Sequence, residues 1–434
     1  MEAPIAISGG GYVRVRLRRL TPLAVVLFCS TGLLHAQTEG LRDRDRSLDA
    51  SRRIAAELQA ANIHAGPFFL LSRFDLSDIG FDQQYFAPTH DQTTGLSLSI
   101  VAPQRIYYVP TKKTIFSAAL TPSYSLLGHR SERQRLTVIG RSDAQFLLNH
   151  IYIDIYGQSG DALRANTGEL DRVFTARERQ FGTTGEVKYS SKTSATFSLE
   201  DSRYRHPTDK LQPLDPKIDI RLFDRDDTSF RFAFVHKTFP LTSLLLATEG
   251  AKYTFRNAHE EDSTRTYVGP GVLYDNGLIT ARLEAGYGQL NFKSPSSKDY
   301  KGVLGNLSAS HRVTFRWSYS LNAARDVDFS LLQHGNSYYV FDRINPLIEY
   351  AATRRLTLRA LSQLGWDRYD VPAFTDDGLF LRRKDTIVYN AVGFLYAIRH
   401  GRGGFDIGYY TRKSNFHIDE QNGIRILLHL SYSP

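Results

Sequence analysis

The sequence is almost empty of sulfur. One Cys and one Met occur in 434 residues. Met1 starts the chain, and Cys29 lies in a segment expected to be cleaved, so the mature chain should hold neither. That excludes disulfides, thiolate catalysis and Cys-ligated zinc or iron–sulfur centres. Long apolar runs are also scarce. Beyond Leu20–Leu34, no stretch approaches the roughly 20 residues a membrane helix needs. The 13 His form no paired metal-ligand spacing, and no GxGxxG opens a helix after a strand. No cofactor and no metal are expected. The pI of about 9.4 invites a nucleic-acid reading. The basic residues are spread along the chain and form no docking run, so no nucleic-acid partner is expected.

What is present begins with an export signal. Arg14, Arg16, Arg18 and Arg19 precede the apolar Leu20–Leu34, and Leu34-His35-Ala36 ends in a small residue. Cleavage after Ala36 is expected. It removes four Arg and one Glu, leaving 50 basic and 44 acidic residues, a balance of +6. Residues 37–64 read as a polar, partly helical periplasmic leader. Ser47 or Asp49 would cap a helix carrying Leu48, Ile54, Ala55, Leu58 and Ala61. The alternative for this helix is a small plug inside, or a rest against, whatever follows.

From residue 65 onward the chain alternates. Between Thr314 and Val327, Phe315, Trp317, Tyr319, Leu321 and Ala323 face Arg316, Ser318, Ser320 and Asn322. Successive strand side chains point to opposite faces, so such a segment is apolar on one side and wet on the other. The next strand repeats this, with Leu356, Leu358, Ala360, Leu364 and Trp366 opposite Arg355, Thr357, Arg359, Gln363 and Asp367. Residues 386–399 and 144–156 do not sort cleanly. Mean hydropathy is −0.33, as a membrane barrel allows because half of each strand is polar. Short turns, such as Asp275-Asn276-Gly277 and Ala352-Thr353, alternate with long polar connections. Residues 134–157 are split at Gly140–Asp143, because one strand there would reverse the sidedness of every later turn. The expectation is an all-β, up-and-down antiparallel transmembrane barrel of about 18 strands over residues 65–434, with 16 as the runner-up. Closure leaves no unpaired backbone edge in lipid.

An Arg facing mid-bilayer costs roughly 2–4 kcal/mol. Arg231, Arg282, Arg316, Arg359 and Arg425, with Glu284, are therefore expected to line the lumen. They make either a weakly basic, hydrated interior or ion-pair ladders that stiffen the wall. Candidate chemistry is sparse. His334-Gly335-Asn336-Ser337 and His429/Ser431 lack the spacing of a hydrolase site, and Asp224, Asp226, Asp227, Asp326 and Asp328 read as solvated acids. No enzyme is expected.

Three segments carry a resemblance: Asp299-Tyr300-Lys301-Gly302, Arg325 to Ser330, and Asn336-Ser337-Tyr338-Tyr339, joined by Gly66 to Leu71. Together they resemble the β-barrel porin 2 family. The resemblance implies an outer-membrane barrel associated with exopolysaccharide or capsule loci. It implies outer-membrane lipid, lipopolysaccharide, the assembly machinery and polysaccharide-export components as partners. One departure is the ending, Leu430-Ser431-Tyr432-Ser433-Pro434, where Tyr432 would have to serve as the terminal aromatic. The expected function is porin-like: solute passage or support of polysaccharide export across a Gram-negative outer membrane. The alternatives are a structural barrel with a blocked lumen and, more distantly, a lipid or glycan hydrolase.

Overall fold

The computed structural model describes residues 50–82, 95–127, 134–165, 173–207, 219–330, 337–374, 379–416 and 421–433. The expected signal peptide and the caps Ser47 and Asp49 lie outside the described residues. Helix α1 is Ala50–Gln59. The strands, in chain order, begin with β1 (Ile63–Ala65), β2 (Phe68–Ser72), β3 (Phe74–Asp82), β4 (Gly95–Val101) and β5 (Gln104–Thr111). β2 pairs with β5 and β3 with β4, so β2–β3 is one bent stave and β4–β5 another. Then come β6 (Thr114–Leu127), β7 (Gln134–Leu147), β8 (Ile151–Ala165), β9 (Val173–Lys188), β10 (Thr193–Arg205) and β11 (Arg225–Phe239). They are followed by β12 (Thr242–Phe255), β13 (Ser263–Asp275), β14 (Ile279–Phe292), β15 (Tyr300–Arg312) and β16 (Trp317–Phe329). The last are β17 (Tyr338–Ala351), β18 (Leu356–Phe374), β19 (Phe380–Ile398), β20 (Gly401–Ser414) and β21 (Gln421–Tyr432).

Each long strand pairs antiparallel with the next. β21 then returns to β3, with Tyr432 opposite Phe74 and Arg425 opposite Asp82. The sheet is therefore a closed barrel of eighteen staves, the number expected. β1 covers the part of β2 that extends past the end of β21. Asn62 fastens this seam. Its Nδ2 donates to the Ser72 carbonyl at 3.2 Å and to Ser433 Oγ at 3.1 Å, and its Oδ1 accepts from the Ser72 N–H.

One boundary differs from expectation. Residues 134–147 form a single strand, and the turn lies at 148–150, where the Leu148 N–H donates to the Ile151 carbonyl at 2.8 Å. Gly140 sits inside the strand, opposite Leu120 and Ser159. It is not a break because its backbone stays extended and both ladders run through it. β8 and β9 accordingly reach Ala165 and Val173, well into what reads as a loop over 158–180. The other short turns use local side-chain caps. Thr314 Oγ1 accepts from the N–H groups of Arg316 and Trp317, and Thr353 Oγ1 from those of Arg355 and Leu356. Asn276 does the same toward Leu278 and Ile279, and Gly277 takes the positive φ of 82° that this turn needs.

The two faces are sharply unlike. Phe230, Phe232 and Phe234 are exposed on the outside, as are Leu244, Leu246, Ile407, Tyr409, Leu428 and Leu430. A continuous apolar outer surface of this kind belongs against lipid. From Leu356 to Trp366 is ten residue steps, about 33 Å of strand, which a tilt near 40° reduces to about 25 Å. That is the height of a barrel's apolar band. Aromatic residues mark its short-turn rim: Trp317 lies 4.5 Å from Tyr350, and Phe68 stacks on Tyr108 at 4.9 Å. Residues 386–399 resist sorting by eye for a physical reason. Tyr389 and Ala391 point inward while Asn390 points out, where Ser362, directly opposite, donates a hydrogen bond to it at 2.6 Å.

Candidate functional site

The inner wall is built from shared carboxylates. Glu284 Oε2 accepts from Arg231 at 2.7 Å and from Arg282 at 3.2 Å, and Arg231 also pairs with Glu249. Asp385 holds Arg383 at 2.8 Å and Arg412 at 2.5 Å, with Ser414 Oγ donating at 2.7 Å. Asp406 accepts from Arg359 Nε at 2.7 Å and contacts His429 Nε2 at 2.7 Å. Asp143 lies between Arg105 at 3.1 Å and Arg141 at 2.7 Å. The same unit recurs: one buried acid between two bases. Three of these units contain a base and an acid two residues apart on one strand, Arg141/Asp143, Arg282/Glu284 and Arg383/Asp385, so both point inward, and a strand one to three places around the wall supplies the second base. Buried, hydrogen-bonded pairs of this sort hold geometry, and losing one partner strands a charge.

The end carrying the long connections is narrowed by a hairpin. β15 stays paired with β16 only as far as Gly305 opposite Arg325, although β16 continues to Phe329. Beyond that point β16 parts from β15, while β17 stays paired with β18 as far as Tyr339 opposite Tyr369. The Phe329 ring lies 5.0 Å from both Tyr253 and Phe255 on β12, four strands away. Four steps around the wall are about 19 Å. Tyr253 and Phe255 face inward, so the hairpin has folded into the mouth. Tyr338 completes the aromatic seat against Phe292 and Tyr300. Arg265 Nη2 pairs with Asp326 at 2.7 Å, and the Arg225 guanidinium sits 5.6 Å from the Phe329 ring centre. Above it, Lys298 reaches Asp370 on β18. Glu261, in the β12–β13 connection, accepts from Ser337 at the hairpin tip. Burial pushes the Glu261 carboxyl up to about 8, with the Ser337 bond opposing the rise and Glu260 adding to it.

The short-turn end is narrowed by α1. Ile54 is 2% exposed and packs with Tyr107, Ile115 and Tyr152, with Leu58 beside them. These wall residues face inward, since their neighbours Ile106, Tyr108 and Phe116 are exposed outside. Tyr107 donates to Glu57, and Arg105 pairs with Glu57 at 3.4 Å. The helix read from sequence as a periplasmic leader thus lies against the inner wall, which is the plug-like alternative.

Of the arginines expected in the lumen, Arg231, Arg282 and Arg359 face inward and share acids, as the ladder reading requires. Glu284 is the centre of one unit. Arg425 faces inward on β21, because Ile424 and Leu428 are exposed outside. Arg316 lies elsewhere: it is exposed in the turn after β15, its guanidinium over the Phe315 ring at 5.2 Å. The Thr314 cap starts β16 at Trp317 and leaves Arg316 outside the wall. Sequence reading missed Asp143, Asp385, Asp406 and Arg412. A base-x-acid pair on the polar parity of a strand was the visible signal for Asp143 and Asp385; Asp406 and Arg412 carried none. Asp224 contacts the His206 ring at 3.0 Å, and Asp226 and Asp227 are paired by Arg205 and Arg225. Among the described residues no group of three or more His, Cys, Asp or Glu could hold a metal ion.

No family model matches the chain, and no curated protein matches it. Solved structures do. A BenF-like porin from Pseudomonas fluorescens Pf-5 is similar over 84% of this chain and 99% of its own, at 12% identity and a TM-score of 0.48. The outer membrane protein opdK from Pseudomonas aeruginosa is similar over 84% and 98%, at 10% identity and 0.49. Acinetobacter baumannii OccAB4 is similar over the same shares at 9% identity and 0.49.

Proposed function

We propose that the chain is an outer-membrane barrel that passes small polar solutes through its lumen, between two narrowed ends. One observation carries this reading: a closed barrel with an apolar exterior and a charged, hydrogen-bonded interior. The arginines are largely matched by acids, so ion selectivity is weak, and size is set by the hairpin and α1. The test is conductance of the purified, refolded full chain in planar bilayers, paired with liposome swelling in sugars of graded size. Discrete channels and swelling by the smaller sugars are expected. Silence in both assays would leave the blocked-lumen reading.

Support of surface-polysaccharide export is the second reading, favoured by a single observation. The segments that carry the family resemblance supply the infolded hairpin and part of its seat at the outer mouth. On that reading the hairpin withdraws to admit a chain. Loss of surface polysaccharide on deleting the gene, restored by the wild-type protein, would support it.

A further inference from the structure

The outer surface is not uniformly apolar above its band. On β16 to β20 the outward parity carries Arg325, Arg368, Lys384 and Lys413, with exposed Arg382 beside them. Arg368 stands two residues beyond Trp366, and Lys413 four beyond Tyr409, both at the end away from the short turns. Cations at this height leave the apolar band and enter the headgroup layer, where their cost falls to about 0–1 kcal/mol. Arg368 and Lys384 are directly opposite each other in the β18–β19 register. Like charges in opposed positions destabilise a strand pair unless something lies between them.

Among the described residues, the acids nearby do not balance this cluster. Asp342 serves Arg325 at 3.6 Å and Arg368, and Asp370 serves Arg382 at 3.7 Å and Lys298. Among the described residues, the side chains of Lys384 and Lys413 have no ion-pair partner. The rim of β8 to β11 is built differently. There Arg177, Arg203 and Arg205 each have a carboxylate, in Asp161, Asp201 and Asp226, and only Arg179, opposite Arg203, has none among the described residues. Among the described residues the excess of positive charge is therefore larger on β16 to β20, and that sector faces the lipid.

We propose that Arg368, Lys384 and Lys413, with Arg325 and Arg382 at the edges, bind the phosphate groups of a phosphorylated lipid in the outer leaflet. Two opposed cations on adjacent strands, with a third one strand further on, suit a polyanionic headgroup better than a single phosphate. The apolar wall below, with Trp366, Ile407 and Tyr409, receives the acyl chains. The site rests on the outer-membrane reading above, but not on passage of solutes.

The test uses refolded full-length protein and native mass spectrometry with diphosphorylated lipid A, its dephosphorylated form, and phosphatidylethanolamine. Retention of the diphosphorylated form at least about tenfold above the other two is expected. The variant Arg368→Gln/Lys384→Gln/Lys413→Gln should lose that preference while keeping wild-type channel conductance. Equal retention of dephosphorylated lipid, or an unchanged preference in the triple variant, overturns the site. Displacement by millimolar inorganic phosphate would assign it to free phosphate and overturn the lipid. Should the barrel hold lipid and yet not conduct, solute passage fails and the site stands.

Discussion

The two ends of this barrel are narrowed by opposite means. At the outer end the wall does the work: β16 parts from β15 at Arg325, β17 stays on β18, and the pair press Phe329 and Tyr338 onto β12 and β14. At the inner end a separate element does it, a ten-residue helix resting on the wall through Ile54, Leu58 and Glu57. The hairpin is tied at both flanks to the barrel by continuous backbone, so moving it means breaking an aromatic cluster and an ion pair together. The helix is tied at only one described flank, through Asn62 and β1. Isolated helices this short are marginal in water, so α1 depends on its contact with the wall. The outer narrowing should therefore be the stiffer one, and the inner one the easier to displace.

The largest effect is expected from Phe329→Ala combined with Arg265→Ala. Removing a buried Phe costs about 3–5 kcal/mol, and Asp326 loses its partner as well. Single-channel conductance should rise severalfold as the hairpin leaves its seat. An engineered Arg265→Cys/Asp326→Cys pair, bridged by a reducible bis-methanethiosulfonate crosslinker, should hold conductance at the wild-type level and raise it on reduction. Cys29 is the one other Cys in the sequence, so the experiment is run in a Cys29→Ser background. Unchanged conductance in both would mean the hairpin does not limit flow.

Next comes the wall that both ends lean on. Glu284→Ala leaves Arg231 and Arg282 facing each other in the interior and should destabilise the barrel by about 3–5 kcal/mol, read by urea unfolding. Glu284→Gln should cost less, since the amide oxygen still accepts. Ile54→Ala should cost at most about 2–5 kcal/mol of helix docking and leave global unfolding almost unchanged. Its readout is faster thiol labelling of a Cys placed at Leu58, on the docked face, with a smaller rise in conductance than the hairpin variant gives. A larger rise would reverse the ranking of the two ends.

The smallest effect is a pH dependence. The Glu261 carboxyl is raised above its unfolded value by burial, so its contribution is fully present below the unfolded value near 4.3 and is lost as pH rises through about 8. Hairpin opening, followed by conductance between pH 5 and 9, should therefore increase toward the alkaline end. Glu261→Gln should flatten the profile. Retention of the slope in that variant would assign it to another group.

Much of the barrel was legible before any coordinates. Alternation at Phe230 to Phe234 and at Leu356 to Trp366 marked both faces correctly, and sidedness forced eighteen strands. The split of 134–157 was right in requiring a turn and misplaced it by several residues. Gly140 looked like a break, but glycine in a strand is only permissive, while Leu148-Asn149-His150 formed the actual turn. Arg316 was assigned to the wall because its parity fits; the Thr314 cap moved the strand start past it.

Along most strands, which residues face lipid and which face water was determined by the sequence alone, because side-chain period and burial cost act locally. Which acid meets which base was not, because partners such as Arg412 and Asp385 lie 27 positions apart and meet only through strand register. The inward placement of Phe329 and Tyr338 was decided by tertiary structure too. On parity alone Phe329 belongs on the outer face, and only the detachment from β15 brings its ring onto β12, where burial outweighs the ladder bonds left unmade.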